Sequence, residues 1–185
     1  MKSSRTGAWY NTKPMKMKKF WILILLAAGG IGFAQWKVTT SADEITGAIS
    51  CYAISKSVKP LHELDFPYTG VISWIGFGTN NKKEWAYIGF STAPNLVGGK
   101  IGNGYTTYSL RVRWDNNPGT MQFFQKWGSK FLHPLNYTKF IANLRRHKLF
   151  LIELHWFGQE DVYFRYSIAG AKQAIDQARA KCKKK

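Results

Sequence analysis

The stretch LFLIELHWFGQEDVYFRYSIAGAKQAIDQARAKC (residues 149–182) holds two runs of period two followed by one of period 3.6. In the first run Phe150, Ile152, Leu154 and Trp156 share a face. In the second, Val162, Phe164, Tyr166 and Ile168 do. Gly158-Gln159-Glu160-Asp161 separates them with turn composition, which predicts an antiparallel hairpin whose core face is strongly apolar. After Ala169-Gly170 the spacing lengthens. Ala171, Ala174, Ile175, Ala178 and Cys182 fall at i, i+3, i+4, i+7 and i+11, one stripe of a helix over about 170–182. Strands therefore run into a helix that buries a small-residue stripe and points Cys182 at the core.

The same alternation continues upstream. ITGAISCYAIS (residues 45–55) places Ile49, Cys51 and Ala53 on one face and Tyr52 and Ile54 on the other. YTGVISWIGF and EWAYIGFS are strand-like runs joined by Gly78-Thr79-Asn80-Asn81, a hairpin turn by composition. In TTYSLRVRWD, Tyr108, Leu110, Val112 and Trp114 oppose Ser109, Arg111 and Arg113. A second helix is predicted over about 136–147, with Asn136 as its N-cap, Phe140, Ile141 and Leu144 as its stripe, and cations at its end. NLVGGKIGNG (residues 95–104) lacks the Gly-Lys-Ser/Thr ending of a phosphate loop and reads as loop, with Asn103-Gly104 as a tight turn. The expected architecture is α+β, mainly an antiparallel β-sandwich of about eight strands with two helices. Cys51 and Cys182 both lie on inward stripes, so a disulfide between them is expected, closing a loop of about 130 residues.

The front of the chain sets the compartment. Lys16, Lys18 and Lys19 precede an unbroken apolar run (residues 20–28), and small side chains follow at Gly32 and Ala34. This is the pattern of a cleaved signal peptide, with cleavage expected after Ala34. The uncharged stretch from residue 20 to 36 is short of the roughly 20 mostly apolar residues that span a bilayer. The alternative is an uncleaved membrane anchor. Residues 1–14 exceed an ordinary leader and point to Met15 or Met17 as the start. The chain thus divides into an extension and signal peptide (1–34) and a single secreted domain with a basic tail (35–185). A domain of that length buries about two thirds of its surface. Export to an oxidising compartment permits the disulfide, and no further apolar stretch of spanning length follows the leader.

The protein has 27 Lys and Arg against ten Asp and Glu. Six of the cations and none of the acids fall in the leader, so the exported domain carries a net charge of +11. Two clusters contribute most: the C-terminal tail, and Arg145-Arg146-His147-Lys148. An anionic partner follows from such charge; cations at the ends of two helices are the structural alternative. The residues expected to meet an anion are Arg111, Arg113, Arg145, Arg146 and Lys148, because side chains on strands and a helix are better fixed than the Lys183-Lys184-Lys185 tail. Arg165 also lies on a strand face, near Tyr163, and such mixtures of arginine and aromatic rings bind sugars or anions by charge and stacking.

Signals for catalysis are sparse. His62, His133, His147 and His155 have no metal-site spacing, so neither a metal nor a cofactor is expected. Glu153-x-His155 places a possible acid/base pair on one strand face, with a solvated strand face as the structural reading. Glu63 and Asp65 are a conceivable glycosidase pair. There is no nucleophile elbow, and Cys51 reads as a bridge rather than a nucleophile. Asn136-Tyr137-Thr138 fits a glycosylation sequon but serves better as a helix cap.

The order of these features resembles a family. Trp36 opens the domain and Ser41 and Asp43 follow. SLRVRWD lies mid-chain, then Trp127 on an expected strand, then KFIANLRRHKLFLIEL, and the chain closes with VYFRYSIAGAKQAIDQARAKC. Over roughly residues 36–182 this resembles the small secreted bacterial proteins that include VasI, an accessory of type VI secretion clusters. In that family a cysteine is expected near the end of a mid-chain strand. Here that place reads Arg-Val-Arg-Trp-Asp, and the other cysteine is Cys51. The resemblance implies a secreted domain and carries over no catalytic residue. Residues and resemblance together lead to a non-catalytic binding or accessory protein of the bacterial periplasm or envelope, taking an unidentified protein or an anionic envelope component. Nucleic acid is disfavoured by export. The alternatives are an envelope-directed hydrolase and a membrane-anchored exclusion or immunity factor.

Overall fold

In this computed structural model of the protein, residues 36–80 and 82–183 are described. The expected leader and its cleavage site after Ala34 lie outside them. The elements in chain order are β1 (Trp36–Ala42), β2 (Ile49–Ser55), β3 (Ser73–Thr79), β4 (Glu84–Phe90), β5 (Lys100–Ile101), β6 (Tyr105–Trp114), β7 (Asn117–Lys126), β8 (Phe131–Pro134), α1 (Tyr137–Arg146), β9 (Leu149–His155), β10 (Asp161–Ser167) and α2 (Ala171–Lys183). No helix among the described residues is long and apolar enough to cross a membrane.

The strands form one antiparallel sheet ordered β1-β2-β3-β4-β8-β7-β6-β9-β10. β5 pairs with the stretch of β6 that β9 leaves open. The sheet curls until β3 and β10 meet. Ser73 Oγ and Tyr166 Oη are 2.6 Å apart inside the core. The segment after β2 stitches the closure, with Val58 bridging Ser73, Pro60 bridging Phe164, and the Leu61 amide donating to the Tyr163 carbonyl. The result is α+β and sandwich-like: the curled sheet and both helices share one core, in which Phe77, Phe90, Phe123, Phe140, Phe150 and Phe164 are fully buried. Every residue expected to face inward along β6, β9 and β10 is buried, although Trp156 and Ile168 lie just beyond the ends of β9 and β10.

Helix α1 starts where Asn136 Oδ1 accepts the Lys139 amide at 2.9 Å, and it buries Phe140, Ile141 and Leu144. Helix α2 buries Ala171, Ala174, Ile175, Ala178 and Cys182 against the β1–β3 side. Small side chains bring its axis close to the sheet, which lets Cys182 reach β2. The Cys51–Cys182 disulfide joins residues 131 apart, with their Cα atoms separated by 5.8 Å. Arg179 adds a forked ion pair to Glu84 on β4, with Nε–Oε1 at 2.6 Å and Nη2–Oε2 at 2.8 Å.

The structure revises several local expectations. The described residues hold ten strands rather than about eight. β6 and β7 are joined by the two-residue turn Asp115-Asn116, in which Asp115 takes φ +51°. β5 occupies part of the glycine-rich stretch expected to be loop, although Gly104, at φ +79°, does make the turn there. β2 begins at Ile49 rather than Ile45, because the Asp43 carboxylate accepts the Ile45 and Thr46 amides and forms a turn that leaves Ile45 exposed. β3 runs on through Gly78 and Thr79. Its turn starts at Asn80, whose side-chain oxygen accepts the Lys82 and Lys83 amides. Trp127, expected on a strand, sits in the turn after β7 and is 64% exposed.

Candidate functional site

The outward faces of β7, β6, β9 and β10 form an open groove of about 410 Å³. Register sets its plan, because side chains directly opposite across an antiparallel pair are neighbours. Thr120 on β7 pairs with Arg111 on β6, and Glu153 on β9 pairs with Tyr163 on β10. The next row runs Pro118, Arg113, Leu151, Arg165.

Glu153 is the centre of the first row. It was expected on a solvated strand face, yet it is only 4% exposed. Arg111 Nη2 reaches its Oε2 at 3.2 Å, and the Tyr163 hydroxyl donates to the same carboxylate from the other side. That hydrogen bond raises the Tyr163 pKa, because losing the phenol proton would set two negative oxygens together. Two long side chains thus roof a carboxylate that alternation alone places at the surface. His155 lies one step along β9, with Nε2 3.9 Å from Glu153 Oε1 and Nδ1 2.8 Å from Asp161 Oδ1. Glu153, His155 and Asp161 are the one group of three potential metal-ligating side chains among the described residues. Sequence spacing misses the group because Asp161 arrives from the facing strand, opposite His155 in register. Its oxygens and nitrogens are already engaged with one another and with Arg111 and Tyr163.

Arg113 is the contrasting neighbour. Its Nε is buried and has no hydrogen-bond partner, and no ion-pair partner stands beside it among the described residues. Arg113 lines the groove with no acid within ion-pair distance among the described residues, so its charge is unmatched there. Arg111, 75% exposed at its side chain, keeps most of its donors free beside it. Pro118 and Leu151 flank Arg113 with apolar surface, which strengthens any charge-assisted hydrogen bond formed there.

The other expected anion contacts lie elsewhere. Arg145 turns its Nη2 to both oxygens of Asp176 on α2, at 3.0 and 3.3 Å, and so joins the two helices. Arg146 is exposed in the last turn of α1. Lys148 is exposed in the connector to β9, where its amide is held by Asp115. None of these three lines the groove. Glu63 and Asp65 line a separate shallow depression of about 190 Å³ with His62 and Asp161. Its rim is tied down where the Asp65 amide donates to Gln159 Oε1.

No protein-family model, no curated protein and no solved structure matches the chain.

Proposed function

We propose that the chain is a secreted, non-catalytic binding protein of the bacterial periplasm or envelope, and that its ligand presents an anionic group to Arg111 and Arg113. The observation that carries this reading is the open groove lined by two arginines, of which Arg113 has no acid within ion-pair distance among the described residues. A carboxylate or phosphate satisfies such a pair with parallel N–H···O bonds. Arg146 and Lys148 contribute only to the surrounding positive field. The disulfide suits an oxidising compartment, and the resemblance to the family that includes VasI supports an accessory role beside a secretion system.

The experiment is calorimetric titration of the exported domain with citrate and with inorganic phosphate at low and moderate salt. Arg113→Ala should weaken binding at least tenfold and flatten its salt dependence, with the unfolding midpoint little changed. Unchanged affinity in the Arg111→Ala/Arg113→Ala double variant overturns the reading. A second reading, an envelope-directed hydrolase, rests on the buried Glu153 beside the His155–Asp161 pair. It is favoured only if turnover of an envelope polymer is measured and Glu153→Gln abolishes it.

A further inference from the structure

The outer face of β3 and β4 has an unusual construction. The cross-strand pairs there are Trp74 with Gly89, Gly76 with Tyr87, and Gly78 with Trp85. Each is one aromatic ring opposite one glycine, three times in succession. The rings lie over the glycines: a Cβ built on Gly76, Gly78 or Gly89 would fall 2.1, 2.3 or 2.5 Å from the nearest atom of Tyr87, Trp85 or Trp74. The glycines leave the space the rings need, so the rings rest against the sheet. Trp74 and Tyr87 are diagonal neighbours across the hairpin. Tyr52 on β2 meets Trp85 edge-on at 5.9 Å, and Phe131 on β8 meets Tyr87 edge-on at 5.1 Å. All three platform rings remain half-buried, with one side held by the sheet. They are rigid flat surfaces, preorganised for stacking.

The platform is continuous with the arginine groove. Tyr87 is followed across the sheet by His133 on β8 and Phe124 on β7, whose rings stack at 5.1 Å. Phe124 pairs with Thr107 on β6, four residues before Arg111. From Tyr87 to Arg111 is about 20 Å measured along the sheet, the length of a short oligosaccharide. Between them the outward positions of β4, β8, β7 and β6 carry no acidic side chain. Acids reappear only at Glu153 and Asp161, where Arg111 and His155 pair with them.

We infer that this face binds an acidic polysaccharide, with pyranose rings stacked on Trp74, Tyr87 and Trp85 and carboxylates carried to Arg111 and Arg113. A pyranose ring has a face of C–H bonds with slight positive charge, which suits the negative face of an aromatic ring. Unlike a protein knob, it needs a flat surface rather than a pocket. The acid-free stretch and the two arginines make the charge complementary to a polyanion. A nucleic acid strand has the same two elements, bases and charge, but the proposed export, which the disulfide suits, favours a glycan. The inference rests on the anion reading of Arg111 and Arg113.

The test is affinity electrophoresis and calorimetry with polygalacturonate, neutral dextran and oligo-dT, with citrate as the small anion. Wild-type protein should bind polygalacturonate at least tenfold more tightly than dextran or oligo-dT. Trp85→Ala/Tyr87→Ala should lose at least tenfold toward polygalacturonate while keeping its citrate affinity. Arg111→Ala/Arg113→Ala should lose both. If the ring variant fails to fold, Trp85→Phe and the tryptophan fluorescence change of the wild-type protein on adding polygalacturonate serve instead. Full polygalacturonate affinity in a folded ring variant, or no fluorescence change on binding, overturns the platform and leaves the anion site standing. Loss of neither ligand in the arginine variant overturns the anion reading itself. Tighter binding of oligo-dT assigns the face to nucleic acid and overturns the glycan.

Discussion

Replacing Gly76 by alanine should destabilise the domain, against the usual trend for a strand glycine. Gly76 does not occupy the left-handed region, so alanine fits its backbone. On backbone entropy alone the change should stabilise by about 0.5–1 kcal/mol, because glycine loses more freedom on folding. The Tyr87 ring reverses the sign. The new Cβ would lie 2.1 Å from Cζ and 2.5 Å from both Cε atoms, whereas carbon atoms in contact prefer about 3.5–4.0 Å. The ring must therefore lift by more than about 1 Å. That strains its edge contact with Phe131. Overpacking of this kind costs about 1–3 kcal/mol, and the 2.1 Å approach puts it toward the upper end of that range, leaving a net loss of about 1–2.5 kcal/mol.

The assay is urea unfolding followed by fluorescence, with an unchanged m-value as the sign that compactness is preserved. In a Tyr87→Ala background the same change should be neutral or stabilising, giving a coupling of about 2 kcal/mol. Gly119→Ala on β7 is the matched control. It also lies outside the left-handed region, and its Cβ would meet nothing within 4 Å, so it should cost nothing. A neutral or stabilising Gly76→Ala in the wild-type background would refute the ring-over-glycine construction, and with it the rigidity assigned to the platform.

Removing the disulfide with Cys51→Ala/Cys182→Ala should lower the unfolding free energy by about 2–5 kcal/mol, since a bridge across 131 residues gives about 5 kcal/mol as the chain-entropy upper value. Denaturant melts should show it, and a loss below about 1 kcal/mol would mean that packing of α2 alone holds the end of the chain. Asp115 supplies a pH test. Its carboxylate accepts the Lys148 and Leu149 amides and pairs with His147, which holds its pKa below the ordinary carboxylate range. A depressed folded pKa stabilises above the unfolded value of about 3.9 and loses that contribution as pH falls through the folded value. Asp115→Asn retains a residue that tolerates φ +51°. Its stability deficit should therefore be full at about pH 5 and shrink toward pH 2; a deficit that grows on acidification would refute the assignment.

Alternation made much of this fold legible. β9 and β10 each put three large apolar residues on one face, with Trp156 and Ile168 buried just beyond their ends, and α2 keeps its stripe over three turns, so period identified element and inner face together. The same rule fails for β7. Asn117-Pro118-Gly119 looks like loop, yet Pro118 is tolerated because β8 pairs only with Phe123, Phe124 and Gln125 and leaves that edge of the strand start open. The four-residue β8 is too short to show a period. The candidate site was legible in part. Arg111 and Arg113 are on one outward face by period alone. Depth was not legible: Glu153 shares an outward-facing parity and is buried only because Arg111 and Tyr163 close over it from the strands on either side. The aromatic platform could have been read, since Trp74-x-Gly76-x-Gly78 and Trp85-x-Tyr87-x-Gly89 are complementary once the hairpin register is known.

The high positive charge divides by element, and that division bears on function. Three cations on the helices meet acids of the protein: Arg145 and Lys172 reach Asp176, and Arg179 reaches Glu84. These account structurally for part of the charge that sequence alone could assign to a ligand. Cations on the strands are treated differently. Arg111 shares one carboxylate with a tyrosine, and Arg113 and Arg165 have no acid within ion-pair distance among the described residues. Arginine fixed on a β-strand has lost much of its freedom before any ligand arrives, so a carboxylate that reaches it orders little else. Unmatched charge on the strands, at the end of an acid-free path of flat rings, is a cost to the free protein through self-repulsion. An anionic ligand of the kind proposed would relieve that repulsion.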